Sequence, residues 1–230
     1  MEERIEEKPD VVETTVVKKS DNGTLKFVYS VFVAFAVIFV FAVFFGRIVF
    51  FPIEVKGVSM QPTLNATSSA PAEKRDIVYL GSDRRIARGD IVVFDSGLKR
   101  NGVSEMYIKR VVALPGDTIE FKVTDSKNGF IYYSFVLNGI VQNEDYVLEG
   151  MRIYANTQDD NELAFLETYL QDGKKLTLGQ DEYFLLGDNR NNSLDSRHLG
   201  AVEKSRFLGK VYLHIPYGQS IIQAIFEKIF

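Results

Sequence analysis

The chain has 230 residues, 46% of them apolar and 13% aromatic, enough for one membrane anchor and one domain with its own core and little more. Its net charge of -4 excludes the clustered positive footprint that phosphate neutralisation demands, so no nucleic-acid partner is expected. Cysteine is absent and the only histidines are His198 and His214, which excludes disulfides, thiolate chemistry and a structural zinc while leaving a carboxylate-rich metal site open.

Residues 1–26 mix both signs of charge without a sustained apolar face and read as a flexible tail. Residues 27–46, FVYSVFVAFAVIFVFAVFFG, carry no charge. At ~1.5 Å per residue they cover about 30 Å, the thickness of a hydrocarbon core, and read as a transmembrane helix. A buried core helix is usually shorter and carries a polar stripe. A cleaved leader would be followed by small residues, whereas GRIVFFP follows here, and Ala34-Phe35-Ala36 lies in the middle of the run. Lys18, Lys19 and Lys26 precede the span, against Arg47 and Lys56 after it. That bias puts the N-terminus in the cytoplasm and everything beyond about Phe51 on the far side.

Residues 51–218 change character to short β-branched and aromatic runs: DIVYL at 76–80, DIVVF at 90–94, MYIKRVVAL at 106–114, TIEFKVT at 118–124, GFIYYSFVL at 129–137, EYFLLG at 182–187 and LGKVYLHI at 208–215. Strands at this density predict a mainly β domain behind an N-terminal membrane helix. Asn138-Gly139 predicts a tight hairpin, because a type I′ turn needs positive φ at both central residues. NATSSAPAEKRD at 65–76 reads as an exposed loop. Residues 159–172 predict a short helix with Leu163, Leu166 and Leu170 on one face, and residues 219–230 an amphipathic helix docked through Ile221, Ile225 and Ile229. Contact of that last helix with a membrane surface is the weaker reading.

The chemistry centres on Ser59, in GVSMQPTL at 57–64. A hydrolytic serine must lose its proton as it attacks and needs a base within hydrogen-bond reach. His214 lies in an alternating strand before Pro216 and reads as structural; His198, after a charged cluster, is the better of the two histidines. A lysine can also serve if burial lowers its pKa from about 10.4. Strand alternation puts Lys109 on the face of Tyr107, Val111 and Ala113, with Ile108 and Arg110 opposite. Taken alone, such a lysine reads rather as a snorkelling surface residue on an edge strand. Composition and spacing therefore end at a membrane-anchored β domain with a possible Ser/Lys hydrolase site.

GVSMQPTL, RGDIVVF at 88–94, YIKRVVALPGD at 107–117 and GDNRNNSLDSRHLG at 187–200, in that order behind a membrane span, resemble the type I signal peptidases over roughly residues 27 to 216. The resemblance implies Ser59 as nucleophile and Lys109 as general base of an acyl-enzyme mechanism, with no cofactor and no metal. It implies Met60 packed beneath the site, Ser193 hydrogen-bonded to the lysine, and Asp195 with Arg197 as a supporting ion pair. Gly187, Asp188, Asn189 and Arg190 would shape the turn that carries them, and Arg110 reads as structural. Asn191 and Asn192 read as a solvated loop. The Ser59 backbone N–H is the expected oxyanion donor. Some family members carry a hydroxyl where this chain has Gly57, so the second donor is unassigned. The implied partners are the lipid bilayer and secreted preproteins with small residues at positions -1 and -3, bound as an added strand near Val55. Two other readings are a self-cleaving, repressor-type Ser/Lys peptidase, which would bring a DNA-binding module, and a non-catalytic membrane-anchored β domain.

Overall fold

The computed structural model describes residues 23–65, 75–81, 85–171 and 173–229, so the expected tail and most of the expected 65–76 loop lie outside the described residues. The chain divides into two units, Met1–Gly46 and Arg47–Phe230.

Among its described residues the first unit is helical. Helix α1 (Gly23–Val49) is longer than the uncharged run at both ends, and its stretch Gly23–Phe41 is long and apolar enough to cross a membrane, with none of that window buried. Its Ser30 hydroxyl donates to the Phe27 carbonyl at 2.8 Å, which satisfies the hydroxyl within the helix.

The second unit follows in the order β1 (Phe50–Glu54), β2 (Ile77–Gly81), β3 (Ile91–Arg100), β4 (Val103–Ala113), β5 (Thr118–Lys127), β6 (Phe130–Leu137), β7 (Ile140–Val141), β8 (Met151–Tyr154), α2 (Asp160–Tyr169), β9 (Lys175–Thr177), β10 (Glu182–Leu186), α3 (Ser196–Leu199), β11 (Val202–Glu203), β12 (Phe207–Ile215) and α4 (Ile221–Ile229). It is mainly β, as the sequence predicts. One sheet runs β1-β2-β12-β3-β4-β10-β11; a second runs β7-β6-β5-β9, with β8 on β6.

The central segments of the large sheet, in β3, β4 and β10, are buried on both faces, which is why they read as continuous apolar runs. Period-2 alternation distributes them: Val93 joins Met60, Leu64, Val78 and Leu80 on one side, while Val92 and Phe94 join Val111, Tyr183 and Leu185 on the other. Phe184 and Leu186 face a third cluster, centred on Phe121, Phe135 and Phe165, that ties the second sheet to the first. The expected hairpin is present: Asn138 and Gly139 have φ of 51° and 83°, and Leu137 pairs with Ile140. The same Asn-Gly signal closes Asn101-Gly102 and Asn128-Gly129.

Both helices differ from expectation in the face they bury. In α2, capped by the Asp159 carboxylate, the fully buried residue is Phe165, with Leu166, Tyr169 and Leu170 partly buried beside it, while Leu163 is exposed. The aromatic ring fills more space under the sheet than the leucine stripe can. In α4 Ala224 is buried, and Ile221, Ile222 and Ile225 remain largely exposed.

Candidate active site

The turn after β1 is anchored from within. Met60 and Leu64 are each 1% exposed and plug into the cluster with Val78, Leu80 and Val93, so Ser59, one residue before Met60, is held at the surface above that core. Backbone bonds Gln61 N–H to Val58 O (3.1 Å) and Leu64 N–H to Met60 O (2.9 Å) close the turn, and Gly57 enters it with φ of 86°, a conformation that favours glycine. The Asn65 side-chain amide donates to the carbonyls of Val55 (2.8 Å) and Gly57 (3.0 Å). Asp76 accepts from Asn65 N–H (2.7 Å) and from Tyr217 N–H (3.0 Å), and it lies 2.6 Å from His214 Nε2. His214 therefore sits in a scaffold pair at the base of the turn.

Lys109 lies on β4 opposite Val92 of β3. It is 4% exposed, and its Nζ is 2.8 Å from Ser59 Oγ and 2.9 Å from the Ile108 carbonyl. Its ammonium also stands 5.2 Å from the Tyr107 ring centroid, on the shared face that strand alternation predicts. Burial pushes the Lys109 pKa from 10.5 down to about 8; Asp195 and Asp188 pull it up and Arg197 pushes it down, all by smaller amounts. At pH above about 8 this amine is an acceptor within reach of a serine hydroxyl. His198 is placed elsewhere: its Nδ1 accepts weakly from Asp195 N–H at 3.5 Å in the capping box of α3, and burial lowers its pKa.

The 187–197 segment closes the site from the β10 side. Gly187 has to be glycine for space: a Cβ there would lie 2.2 Å from Ser193 Oγ and 2.5 Å from the Ser59 carbonyl oxygen. Asn189 N–H donates to that same Ser59 carbonyl at 3.0 Å. Asp188, 1% exposed, takes two hydrogen bonds from the Arg110 guanidinium (2.8 and 2.6 Å) and one from Thr63 Oγ1 (2.5 Å), so Arg110 is structural in a specific sense: it joins β4, the Ser59 turn and the 187–190 turn. Asp195, fully buried, is bidentate to Arg197 at 2.9 Å for each bond and accepts Gly187 N–H at 3.0 Å. Despite burial, Arg197 holds the Asp195 pKa down to about 2. Arg197 in turn donates to the Tyr133 hydroxyl at 2.9 Å. Ser193 Oγ is buried and close to Asp195, whose carboxylate it helps to stabilise, but among the described residues it makes no hydrogen bond of good geometry, and the acceptors around Lys109 Nζ are Ser59 and Ile108 rather than Ser193.

A groove of about 430 Å³ opens onto Ser59 and Lys109. Ile53 to Lys56 form one wall and Met106 to Lys109 the other, with Leu194 at the end. Both walls present unpaired strand edge: β1 ends its sheet, and Met106 to Lys109 pair with β3 alone, since β10 takes up β4 only from Arg110 onward. Among the described residues Ser59 N–H reaches no acceptor, so it is available to a ligand. The other hydroxyl on the groove, Tyr107, donates to Glu105 at 3.2 Å.

Sequence reasoning passes over Thr63 and Asn65, whose signal is only that both lie in or beside the serine motif. Asn191 and Asn192 are exposed, as the reading of a solvated loop expects, and Asn191 in addition accepts Arg152 N–H at 3.0 Å and donates to Gly150 O at 3.1 Å, stitching β8 to the site loop.

The family model for signal peptidase, peptidase S26, matches residues 26–215. A signal peptidase I P from Bacillus subtilis subsp. natto is 32% identical over 84% of this chain and 89% of its own length. A signal peptidase IB from Staphylococcus aureus is 28% identical over 81% of this chain and 86% of its own. A crystallised signal peptidase I from Enterococcus faecalis V583 aligns with a TM-score of 0.36 at 26% identity, covering 56% of this chain and 97% of that one. With four fifths of the chain inside the family model, this chain belongs to the signal peptidase family, peptidase S26.

Proposed function

We propose that the protein is a membrane-anchored serine endopeptidase that removes N-terminal signal peptides from secreted preproteins through a Ser59–Lys109 dyad. The observation that carries this reading is the 2.8 Å approach of a buried lysine, its pKa near 8, to a serine hydroxyl on an open groove. In its neutral form Lys109 Nζ takes the proton of Ser59 as Oγ attacks the scissile carbonyl, and the proton then passes to the departing amine. In deacylation the same amine takes a proton from a water as its oxygen attacks the acyl carbonyl, and gives that proton to Ser59 Oγ as the ester bond breaks. Ser59 N–H supplies one oxyanion donor, and the second is left to a backbone group near Gly57 or to a water. Met60 anchors the nucleophile from below, Asp188 fixes its turn, and Asp195 with Arg197 holds the loop that carries Ser193 against the dyad.

Two open strand edges suit an extended peptide that adds as a strand, leaving shallow apolar surface near Ile53, Val55 and Ile108 for small residues at -1 and -3. The division of labour follows: a cytoplasmic tail over 1–26, an anchor over 27–46, a peptidase domain over 51–218 on the far side and a terminal helix over 219–230. The anchor holds enzyme and substrate on one membrane face and raises their effective concentration. The test is incubation of the detergent-solubilised protein with a preprotein whose signal ends in Ala-x-Ala, followed by sequencing of the new N-terminus. Wild type is expected to release a mature chain beginning after that alanine, and Ser59→Ala to release none while remaining folded. Cleavage by Ser59→Ala would overturn the assignment.

A further inference from the structure

The segment between β7 and β8 lies outside all four sequence motifs, yet it grips the site loop. The Arg110 guanidinium stands 4.0 Å from the Tyr146 ring centroid and that of Arg190 6.0 Å from it. The Tyr146 hydroxyl donates to Glu144, and the other oxygen of Glu144 lies 2.5 Å from Arg190 Nη1. Arg190 is 3% exposed; its Nε donates to the Gly187 carbonyl at 3.1 Å, and its Nη2 is buried without a hydrogen-bond partner among the described residues. Glu144 is thus the one carboxylate paired with that buried guanidinium among the described residues.

The two arginines hold adjacent residues of one short turn. Arg110 binds Asp188, Arg190 reaches back to the Gly187 carbonyl, and the next residue of the turn, Asn189, donates its N–H to the Ser59 carbonyl at 3.0 Å. From a separate part of the chain, the Tyr146 ring lies against both guanidinium groups and the Glu144 carboxylate binds that of Arg190. We propose that Tyr146 and Glu144 are positioning residues of the Ser59–Lys109 site, a clamp that sets the 187–190 turn against the serine backbone through Arg110 and Arg190. The proposal rests on the reading of Ser59 and Lys109 as the catalytic pair. Release of the clamp lets the turn drift, which misplaces Ser59 Oγ relative to Lys109 Nζ and admits water beside a lysine whose low pKa comes chiefly from burial.

The experiment compares Tyr146→Ala, Tyr146→Phe and Glu144→Gln with wild type and Ser59→Ala in the full chain, on the Ala-x-Ala preprotein, with kcat and KM separated and kcat/KM followed against pH. Tyr146→Ala is expected to lower kcat by about 10- to 100-fold with KM within about twofold, since small misplacements of reacting atoms act on kcat. Its rising pH limb should move to higher pH. Tyr146→Phe, which keeps the ring over Arg110, should lose less than about fivefold. If the clamp were only a stabilising contact, the variants would melt at lower temperature with kcat and the pH limb unchanged, and that result overturns the proposal. Should Tyr146→Ala fail to fold, Glu144→Gln decides on the same two readouts: a lower kcat with a shifted limb supports the clamp, and wild-type values overturn it. An inactive Ser59→Ala beside unchanged Tyr146 and Glu144 variants removes the clamp alone, whereas an active Ser59→Ala removes the dyad and the clamp together.

Discussion

Lys109→Met is expected to yield a protein with no measurable cleavage that is nonetheless more stable than wild type at pH 7. The lysine is 4% exposed and its pKa falls from 10.5 to about 8, so folding at neutral pH carries a charged ammonium out of water. The folded pKa lies below the unfolded one. The penalty is therefore full below about pH 8 and fades as pH rises toward 10.5. A shift of this size corresponds to about 3 kcal/mol. Methionine fills similar volume without the charge but gives up the hydrogen bonds to Ser59 Oγ and the Ile108 carbonyl, each worth about 1 kcal/mol net. The balance is a stabilisation of about 1 kcal/mol at pH 7 that shrinks and reverses toward pH 10.5. Urea unfolding at the two pH values measures it. Lys109→Arg should be equally inactive, because a guanidinium stays protonated throughout. An active arginine variant would contradict a lysine base.

Asp195→Asn is expected to produce the largest loss of stability of any single change in the site loop, about 3–5 kcal/mol, because it leaves Arg197 as an uncompensated buried charge. The carboxylate accepts four hydrogen bonds, from Gly187 N–H, Arg197 N–H and two guanidinium nitrogens, and an amide replaces one of its two acceptor oxygens with a donor. The pH dependence has the opposite sign to that of Lys109. The folded Asp195 pKa is depressed to about 2, so its contribution is complete above the unfolded value of 3.8 and is lost as pH falls through about 2. Adding Arg197→Met to Asp195→Asn removes the orphaned charge and should recover part of the loss, measured as a higher urea midpoint for the double variant than for Asp195→Asn. A double variant less stable than Asp195→Asn would mean that Arg197 does not depend on its pairing with Asp195.

The sequence carries the central strands because both faces of the sheet are buried there, which leaves runs such as DIVVF and EYFLL without polar interruption. It does not carry β1, since FFPIE directly follows the apolar span and extends its composition, nor the short β8, β9 and β11, which are two to four residues long and have too few positions to show a period. The face of Lys109 is legible from alternation alone, because a strand fixes side chains by parity. The partnership of Ser59 with Lys109 is not: the residues are fifty positions apart, and only the β1 to β4 arrangement brings them together. Glu144 and Tyr146 were invisible for a different reason. An acidic residue and a tyrosine in a loop read as solvated surface until the two arginines that they touch are known to be buried or bound beside the serine turn.

The most direct test of the dyad is the pH dependence of kcat/KM for the wild-type protein on the Ala-x-Ala preprotein, since that profile reports the ionisations of the free enzyme. Lys109 as general base requires activity to rise with pH along a limb with an apparent pKa near 8. A rising limb centred at or below 6.5, the ordinary histidine value from which burial lowers His198, would contradict the lysine base and return His198 to consideration.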